Sequence, residues 1–338
     1  MNVITEDISH IAKCTDLNFL NDKSVLITGA SGLMGSYFAQ VLMHLGSTGN
    51  GPSKLFLTSK TGKFQFELGN LVEVIEGNLA DADLLAKVPN ADVVIHAAGY
   101  GQPDKFLENA FLTLELNTTV TLNLINKVNQ GGKFLFLSSS EVYSGLDSPP
   151  FLETQIGTSN TDHQRAAYIE AKRTGEAITH IAYKQGNIDA KSVRLSLAYG
   201  PGTKIDDSRV MNSFIRQALL KQRIEMFDLG QSMRTYCYLI DAIEMCFVAL
   251  GKGKESIYNV GGVSRIRISD LAKLICDLTG SELISPLSDT HGLKGAPSDV
   301  WLDIRKITDL SKKRNFIEIE EGVKRTINWQ KNIYTKIL

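Results

Sequence analysis

The chain has 338 residues, 43% apolar and 22% charged, with 36 Lys and Arg against 37 Asp and Glu. Single cores stop growing near about 250–300 residues, so two lobes are expected. A net charge of −1 excludes a wholesale basic surface and with it nucleic-acid binding by net charge, and no block of like charge marks an acidic tail.

Residues 1–21 place Ile4, Ile8 and Ile11 among Glu6, Asp7, Lys13 and Asp16. That spacing predicts an amphipathic surface helix and not the unbroken apolar core of a signal peptide. No apolar run approaches the ~20 residues that cross a bilayer, so no membrane partner is expected. Cys14, Cys237, Cys246 and Cys276 form no CxxC pair and read as reduced thiols of a cytoplasmic protein. His96, at a strand end, reads as structural, and histidines 10, 44, 163, 180 and 291 show no ligand spacing, so no metal site is expected.

From residue 22 onward two periodicities alternate. Short apolar runs at 24–28, 55–58, 72–76, 93–96, 134–138 and 192–195 are separated by segments with helical spacing, among them 33–45, 107–128 and 166–185. Strand and helix in alternation predict an α/β fold, a parallel Rossmann-type sheet covered by helices on both faces. After about Gly200 helices are expected at 209–222 and 269–279, with a strand and helix in 234–250. The expected division is a dinucleotide-binding domain of 22–193 plus 235–263, and a smaller interleaved α/β substrate lobe of 194–234 plus 264–338.

Three motifs carry chemistry. The first strand runs into Thr28-Gly29-Ala30-Ser31-Gly32-Leu33-Met34-Gly35, which also opens the next helix. Glycines there allow a tight turn, close approach of backbone to a pyrophosphate, and close helix–strand packing. The helix start offers free amides to phosphate. An acid about 20 residues on would hold the ribose of NAD. Here the second strand ends Thr58-Ser59-Lys60: hydroxyls suit NAD and Lys60 a 2′-phosphate, leaving NAD and NADP both open. The second motif, Tyr168-Ile169-Glu170-Ala171-Lys172, puts a phenol and an ammonium on one helix face, where a cation lowers the phenol's pKa for proton exchange with a sugar hydroxyl. The third, Ser138-Ser139-Ser140-Glu141-Val142-Tyr143, sets hydroxyls and a carboxylate at the carboxyl end of a strand, where the ligand crevice lies.

With these three together, residues 23–329 resemble the extended short-chain dehydrogenase/reductase family, in its nucleotide-sugar branch. HAAG at 96–99, the Asn117 segment, VRLSLAYGPG at 193–202, YNVGG at 258–262 and IEEGVKRTINW at 319–329 extend the match. SSSEVY, YIEAKRTGE, RVMNSFIRQAL at 209–219 and GQSMRTYCYLIDA at 230–242 look most like UDP-glucuronate decarboxylases. The resemblance implies Tyr168 as base, Lys172 lowering its pKa and holding the nicotinamide ribose, Ser139 beside the reacting hydroxyl, and Glu141 as the decarboxylase carboxylate. For the cofactor it implies Ser31, Asn78, Leu79, Ala97, Ala98, Gly99 and Asn117 besides the glycine turn; for the substrate, Ser140, Arg209, Asn212 and Arg234. It further implies a homodimer through helices 107–128 and 166–185. Three departures stand out: Gly99-Tyr100-Gly101-Gln102-Pro103 replaces an Ala-Ser-Pro turn, Leu197 an Asn, and Asn78 an Asp. Serine at 140 lacks the acid of a 4,6-dehydratase. The expected activity is oxidation of a nucleotide sugar at C4 followed by decarboxylation. Alternatives are 4-epimerisation, 4-keto reduction, or a cofactor-bound binding protein without catalysis.

Overall fold

The computed structural model describes residues 2–288 and 299–334; His291 lies outside them. Its strands are β1 (Ser24–Thr28), β2 (Lys54–Ser59), β3 (Val72–Glu76), β4 (Ala91–His96), β5 (Val128–Ser139), β6 (Asp189–Leu195), β7 (Ala198–Tyr199), β8 (Arg223–Glu225), β9 (Met233–Tyr238), β10 (Ile257–Val260), β11 (Ser264–Arg267), β12 (Glu282–Ile284) and β13 (Asp299–Val300). Its helices are α1 (Val3–Cys14), α2 (Leu33–Ser47), α3 (Ala82–Lys87), α4 (Pro103–Glu108), α5 (Ala110–Asn117), α6 (Thr119–Ile125), α7 (Ala166–Gln185), α8 (Val210–Lys221), α9 (Leu239–Lys252), α10 (Ile268–Thr279), α11 (Arg305–Ser311) and α12 (Ile319–Tyr334).

The main sheet is parallel, in the order β3-β2-β1-β4-β5-β6-β10. The chain works outward from β1 to β3 and then crosses back to lay β4 on the other side of β1. That reversal opens a crevice at the carboxyl ends of the two strands, where open α/β sheets take their ligands. Val25, Leu26, Ile27, Val94 and Ile95 are fully shielded, as strands covered on both faces require. Helix α9 is buried from Leu239 through Leu250. Each such Leu, Ile or Phe contributes roughly 1.5–3 kcal/mol through removal from water.

A smaller sheet is centred on β9, which pairs antiparallel with β11 and parallel with β7 and β13. The division expected at residue 235 therefore runs through the middle of a strand: 233–238 belongs to the smaller sheet, and only β10 of that stretch joins the main one. The long helix expected at 107–128 is three helices, α4, α5 and α6. Asn109 and Thr118 leave helical geometry, and their side chains bond to the carbonyls of Lys105 and Leu114, four residues back. Asn and Thr compete with helix bonds in this way. α1 is amphipathic as expected, but Asp7 lies on its buried side, where it accepts hydrogen bonds from Tyr37 (3.1 Å), Tyr238 (2.9 Å) and Arg325 (3.1 Å).

Candidate active site

The glycine turn sits at the β1–β4 crevice. Gly29 has φ +64°, and a Cβ there would lie 2.7 Å from Ala98 Cα and 2.8 Å from the Ala97 carbonyl. Only glycine fits both the left-handed backbone and that approach. Gly35 carries the helix–strand contact, since a Cβ would fall 2.3 Å from the Gly29 carbonyl oxygen. Gly32 begins α2 with no side chain capping it, so the first-turn amides, at Leu33 and Met34 among others, stay open to an anion. At the end of β2 the Thr58 hydroxyl accepts from the Gly29 amide (3.3 Å), and Ser59 donates to Ser31 (3.1 Å). Lys60 and Asn78 are exposed at the rim, and Leu79 is buried beside them. The cradle, the open amides and the paired hydroxyls fit a dinucleotide.

His96 is not part of the chemistry. Its Nε2 donates to the Leu116 carbonyl (2.9 Å) and its Nδ1 accepts from Thr28 (2.7 Å). Burial lowers its pKa to about 4, so the ring is neutral.

Tyr168 and Lys172 lie one turn apart on α7, both almost fully buried. The Lys172 ammonium donates to Asn117 Oδ1 (2.8 Å) and to the Leu137 carbonyl (2.7 Å), and rests over the Phe136 ring. Burial lowers its pKa to about 7, countered by Glu176 a further turn along α7. Burial raises the pKa of Tyr168; a hydrogen bond with Ser139 and the charges of Arg165 and Arg209 pull it back. Ser139 and two arginines thus act on the Tyr168 pKa, and Asn117 holds the Lys172 ammonium.

Glu141 follows Ser139, whose hydroxyl accepts from the Glu141 amide (3.2 Å). Its carboxylate pairs with Arg165 at 2.8 Å. Burial raises the Glu141 pKa, opposed by Arg165, Arg234 and His163. Ser140 and Glu141 line one side of a pocket with Tyr143, Phe151 and Asp299. Arg209 is bonded through both Nε and Nη2 to Asp207, at 3.0–3.1 Å and 2.7 Å. Arg234 lies within electrostatic reach of Glu141, Arg165 and Asp299, its pKa lowered by burial.

Of the expected substrate residues, Asn212 stands apart: it is buried, and its Oδ1 accepts from Gln330 of α12 (3.2 Å). Four residues that the sequence reading did not single out belong to the site or its support. Arg165 and Phe106 are in it: Phe106 stacks on the Tyr168 ring (centroids 4.4 Å, planes 12° apart), and the Arg165 guanidinium lies 5.3 Å from the centre of the Phe106 ring. Beneath it, Glu176 accepts from Ser138 (2.6 Å) and Arg194 (2.8 Å), both partners buried. Arg194 also reaches Tyr143 and the carbonyls of Glu153 and Gln155. Spacing carried a signal for two of them: Arg165 precedes Tyr168 by three residues and Glu176 follows Lys172 by four, all on one helix face. Leu197, where the resemblance expected Asn, has φ +38°, a left-handed conformation in which Asn is far commoner than Leu.

The chain is similar to known proteins in sequence and in fold. The sequence model of the NAD dependent epimerase/dehydratase family matches residues 25–261. UDP-glucuronic acid decarboxylase 1 of Xenopus tropicalis is 29% identical over 332 residues, 95% of this chain and 76% of that one. Among solved structures, a dTDP-glucose 4,6-dehydratase from Streptomyces venezuelae with NAD bound superposes with a TM-score of 0.79 at 20% identity, over 93% of this chain and 98% of that one. The UDP-glucuronic acid 4-epimerase of Bacillus cereus, in complex with UDP-glucuronic acid and NAD, does so with a TM-score of 0.74 at 22% identity, covering 92% and 100%.

Proposed function

The chain belongs to the NAD dependent epimerase/dehydratase family, and within it we propose that it oxidises a nucleoside-diphosphate uronic acid at C4 and releases the C6 carboxylate as CO2. The observation that carries this reading is the pairing of Glu141 with Arg165 beside Tyr168 and Ser139, within reach of Arg209 and Arg234. Such a cluster suits a ligand with negative charge at both its diphosphate and its sugar. The relatives named for glucuronic acid decarboxylation support the same substrate class.

NAD is the cofactor we assign, held by Gly29, Ser31, Gly32, Leu33, Met34, Gly35 and Ser59 at the dinucleotide end, by Ala97, Ala98 and Gly99 along the crevice, and by Lys172 at the ribose. When bound, it would supply a reversible hydride acceptor. Tyr168 accepts the proton of the 4-hydroxyl, steered by Ser139. It does so as the phenolate and becomes the neutral phenol; the Lys172 charge stabilises that phenolate, and Asn117 and the Leu137 carbonyl hold the charge in place. A 4-ketone is β to the C6 carboxylate, so loss of CO2 leaves a stabilised enolate. Glu141, whose pKa burial raises, passes a proton to C5 from its protonated form. Serine at 140 gives Glu141 no second carboxylate for expelling a 6-hydroxyl, which disfavours 4,6-dehydration.

Incubation of the NAD-loaded protein with UDP-glucuronate should release CO2 and yield a pentose product by mass, whereas UDP-glucose should give none. A changed hexose without CO2 would replace this reading with 4-epimerisation or 4-keto reduction. Tyr168→Phe should abolish turnover and keep NAD bound; retained turnover would overturn the assigned base, and a wild type inert toward every nucleotide sugar would leave a binding protein. We further propose a homodimer formed across α5, α6 and α7, where Phe111, Leu122 and Ile181 stand exposed, Phe111 by 89%. Phe111→Asp should then halve the mass seen by light scattering, and an already monomeric wild type would refute it. No helix among the described residues is long and apolar enough to cross a membrane. With its four cysteines all unpaired, we place the protein in the cytoplasm, which cell fractionation checks.

A further inference from the structure

The end of β2 reads Thr58-Ser59-Lys60 and carries no acid to receive an adenosine ribose. Thr58 and Ser59 are buried and turn their hydroxyls to the glycine turn, at Gly29 and Ser31. The neighbouring strand brings a carboxylate to the same level. β3 pairs parallel with β2, and Ser59 opposite Glu76 is the last pair of that ladder. The Ser59 carbonyl then accepts from the Gly77 amide (3.0 Å). Residues paired across parallel strands send their side chains to one face of the sheet, so Glu76 shares the face on which Ser59 meets Ser31. The turn after β2 is shaped around this side chain. Gly62 has φ +62°, and a Cβ there would lie 3.0 Å from Glu76 Cδ and 3.5 Å from its Cγ. A left-handed glycine leaves the room in which the carboxylate sits. Glu73, on the same strand, pairs with Lys54 at 3.0 Å, whereas no hydrogen bond or ion pair among the described residues engages Glu76.

We propose that Glu76 selects NAD over NADP: its carboxylate accepts from the 2′-hydroxyl of the adenosine ribose and repels a 2′-phosphate. The inference rests on the dinucleotide reading of the glycine turn and adds to it the residue that chooses between the two cofactors. A hydrogen bond to an ionised acceptor is about twice as strong as one between neutral groups. A phosphate monoester in the same place would set about −1.5 to −2 of charge against a carboxylate. Rejection of the wrong ligand by repulsion contributes to specificity as much as attraction to the right one does. Lys60 opposes this, but its side chain is exposed and nothing among the described residues fixes it. A solvated lysine gains little from an anion nearby, and part of that gain goes to ordering its side chain. Glu76 is seated against the backbone at Gly62, so its charge is the fixed one. Because it arrives from the next strand, it escapes the spacing of about 20 residues at which such an acid is sought.

The test measures dinucleotide binding in the absence of sugar. NAD, NADP and the 2′-deoxyadenosine analogue of NAD are titrated by calorimetry onto wild type, Glu76→Gln and Glu76→Ala. Wild type should bind NAD about tenfold or more tighter than NADP, and Glu76→Gln should close most of that gap, chiefly by binding NADP more tightly. Loss of the 2′-hydroxyl should weaken binding about threefold or more in wild type and by less than about half as much in Glu76→Ala. Raised salt should narrow the wild-type preference, since screening weakens the repulsion. A wild type that binds NADP as tightly as NAD overturns the proposal, as does a preference unchanged in Glu76→Gln. Equal losses of NAD and NADP in Glu76→Gln would make the carboxylate a support of the turn at Gly62, and overturn it too. A larger shift in Lys60→Ala than in Glu76→Gln would hand the choice to the lysine, with the same consequence. A wild type that binds neither dinucleotide sinks the cofactor assignment itself. CO2 release enters none of these outcomes, so the sugar reading stands or falls separately.

Discussion

Gly35 shows how a single missing methyl group governs a binding loop. A Cβ placed 2.3 Å from the Gly29 carbonyl oxygen meets only backbone atoms of Gly29 and Ala30, so no side-chain rotation relieves it. Gly35→Ala is expected to cost about 1–3 kcal/mol, as overpacking does, and to release NAD. Thermal melting and the cofactor retained after dialysis measure both, and full retention would mean that the turn does not hold the dinucleotide. Glycines of this kind were legible in the sequence because their spacing is local. Tyr168 and Lys172 were legible for the same reason, a phenol and an ammonium four residues apart on one helix. Phe106 was not: it meets Tyr168 across 62 positions of sequence, and nothing local to residues 103–108 announces a partner. Asn212 is a different case, a polar residue in a segment read as substrate-binding whose side-chain oxygen accepts from Gln330 of α12.

At the scale of elements, the site depends on α7 keeping its seat on the main sheet. The buried pair of Glu176 and Arg194 joins α7 to β6, and Arg194 goes on to hold the segment after β5 through Tyr143, Glu153 and Gln155. Removal of one member of a buried pair strands the other's charge, so Arg194→Met is expected to cost about 3–5 kcal/mol. Replacing both, as Glu176→Leu with Arg194→Met, should recover most of that loss. Urea titration of the three variants measures it, and a double variant as weak as the single would show that Arg194 acts mainly through the segment it holds. The alternation of strands and helices was readable because β1, β2 and β4 each carry a short apolar run. The break of residues 103–125 into three helices was harder to see, since Asn109 and Thr118 end a helix by side-chain bonds to carbonyls four residues back and not by a glycine or proline.

Across the whole molecule, Asp7 and Arg325 join segments 318 positions apart. Burial raises the Asp7 pKa to about 6, despite hydrogen bonds from Tyr238 and Tyr37 and the charge of Arg325. A carboxyl whose folded pKa lies above its unfolded one contributes its full stability below about pH 4 and loses it as pH rises toward 6. A shift of about two units corresponds to roughly 3 kcal/mol. The melting temperature of the wild type relative to Asp7→Asn should therefore fall between pH 4 and 6 and stay level from 7 to 9; a difference independent of pH would show the carboxyl is not strained by burial. The smaller sheet brings a different kind of long-range dependence. From β9 the chain passes through α9 to complete the main sheet with β10, then returns to the smaller sheet with β11. The two lobes are consequently not interchangeable cassettes. A chimera that takes the smaller sheet from a relative as one block from residue 194 onward would take β10 and α9 with it, replacing the outer strand of the main sheet and a helix buried from Leu239 through Leu250. Exchange of specificity between such enzymes must cut the chain at several points, or be made one side chain at a time.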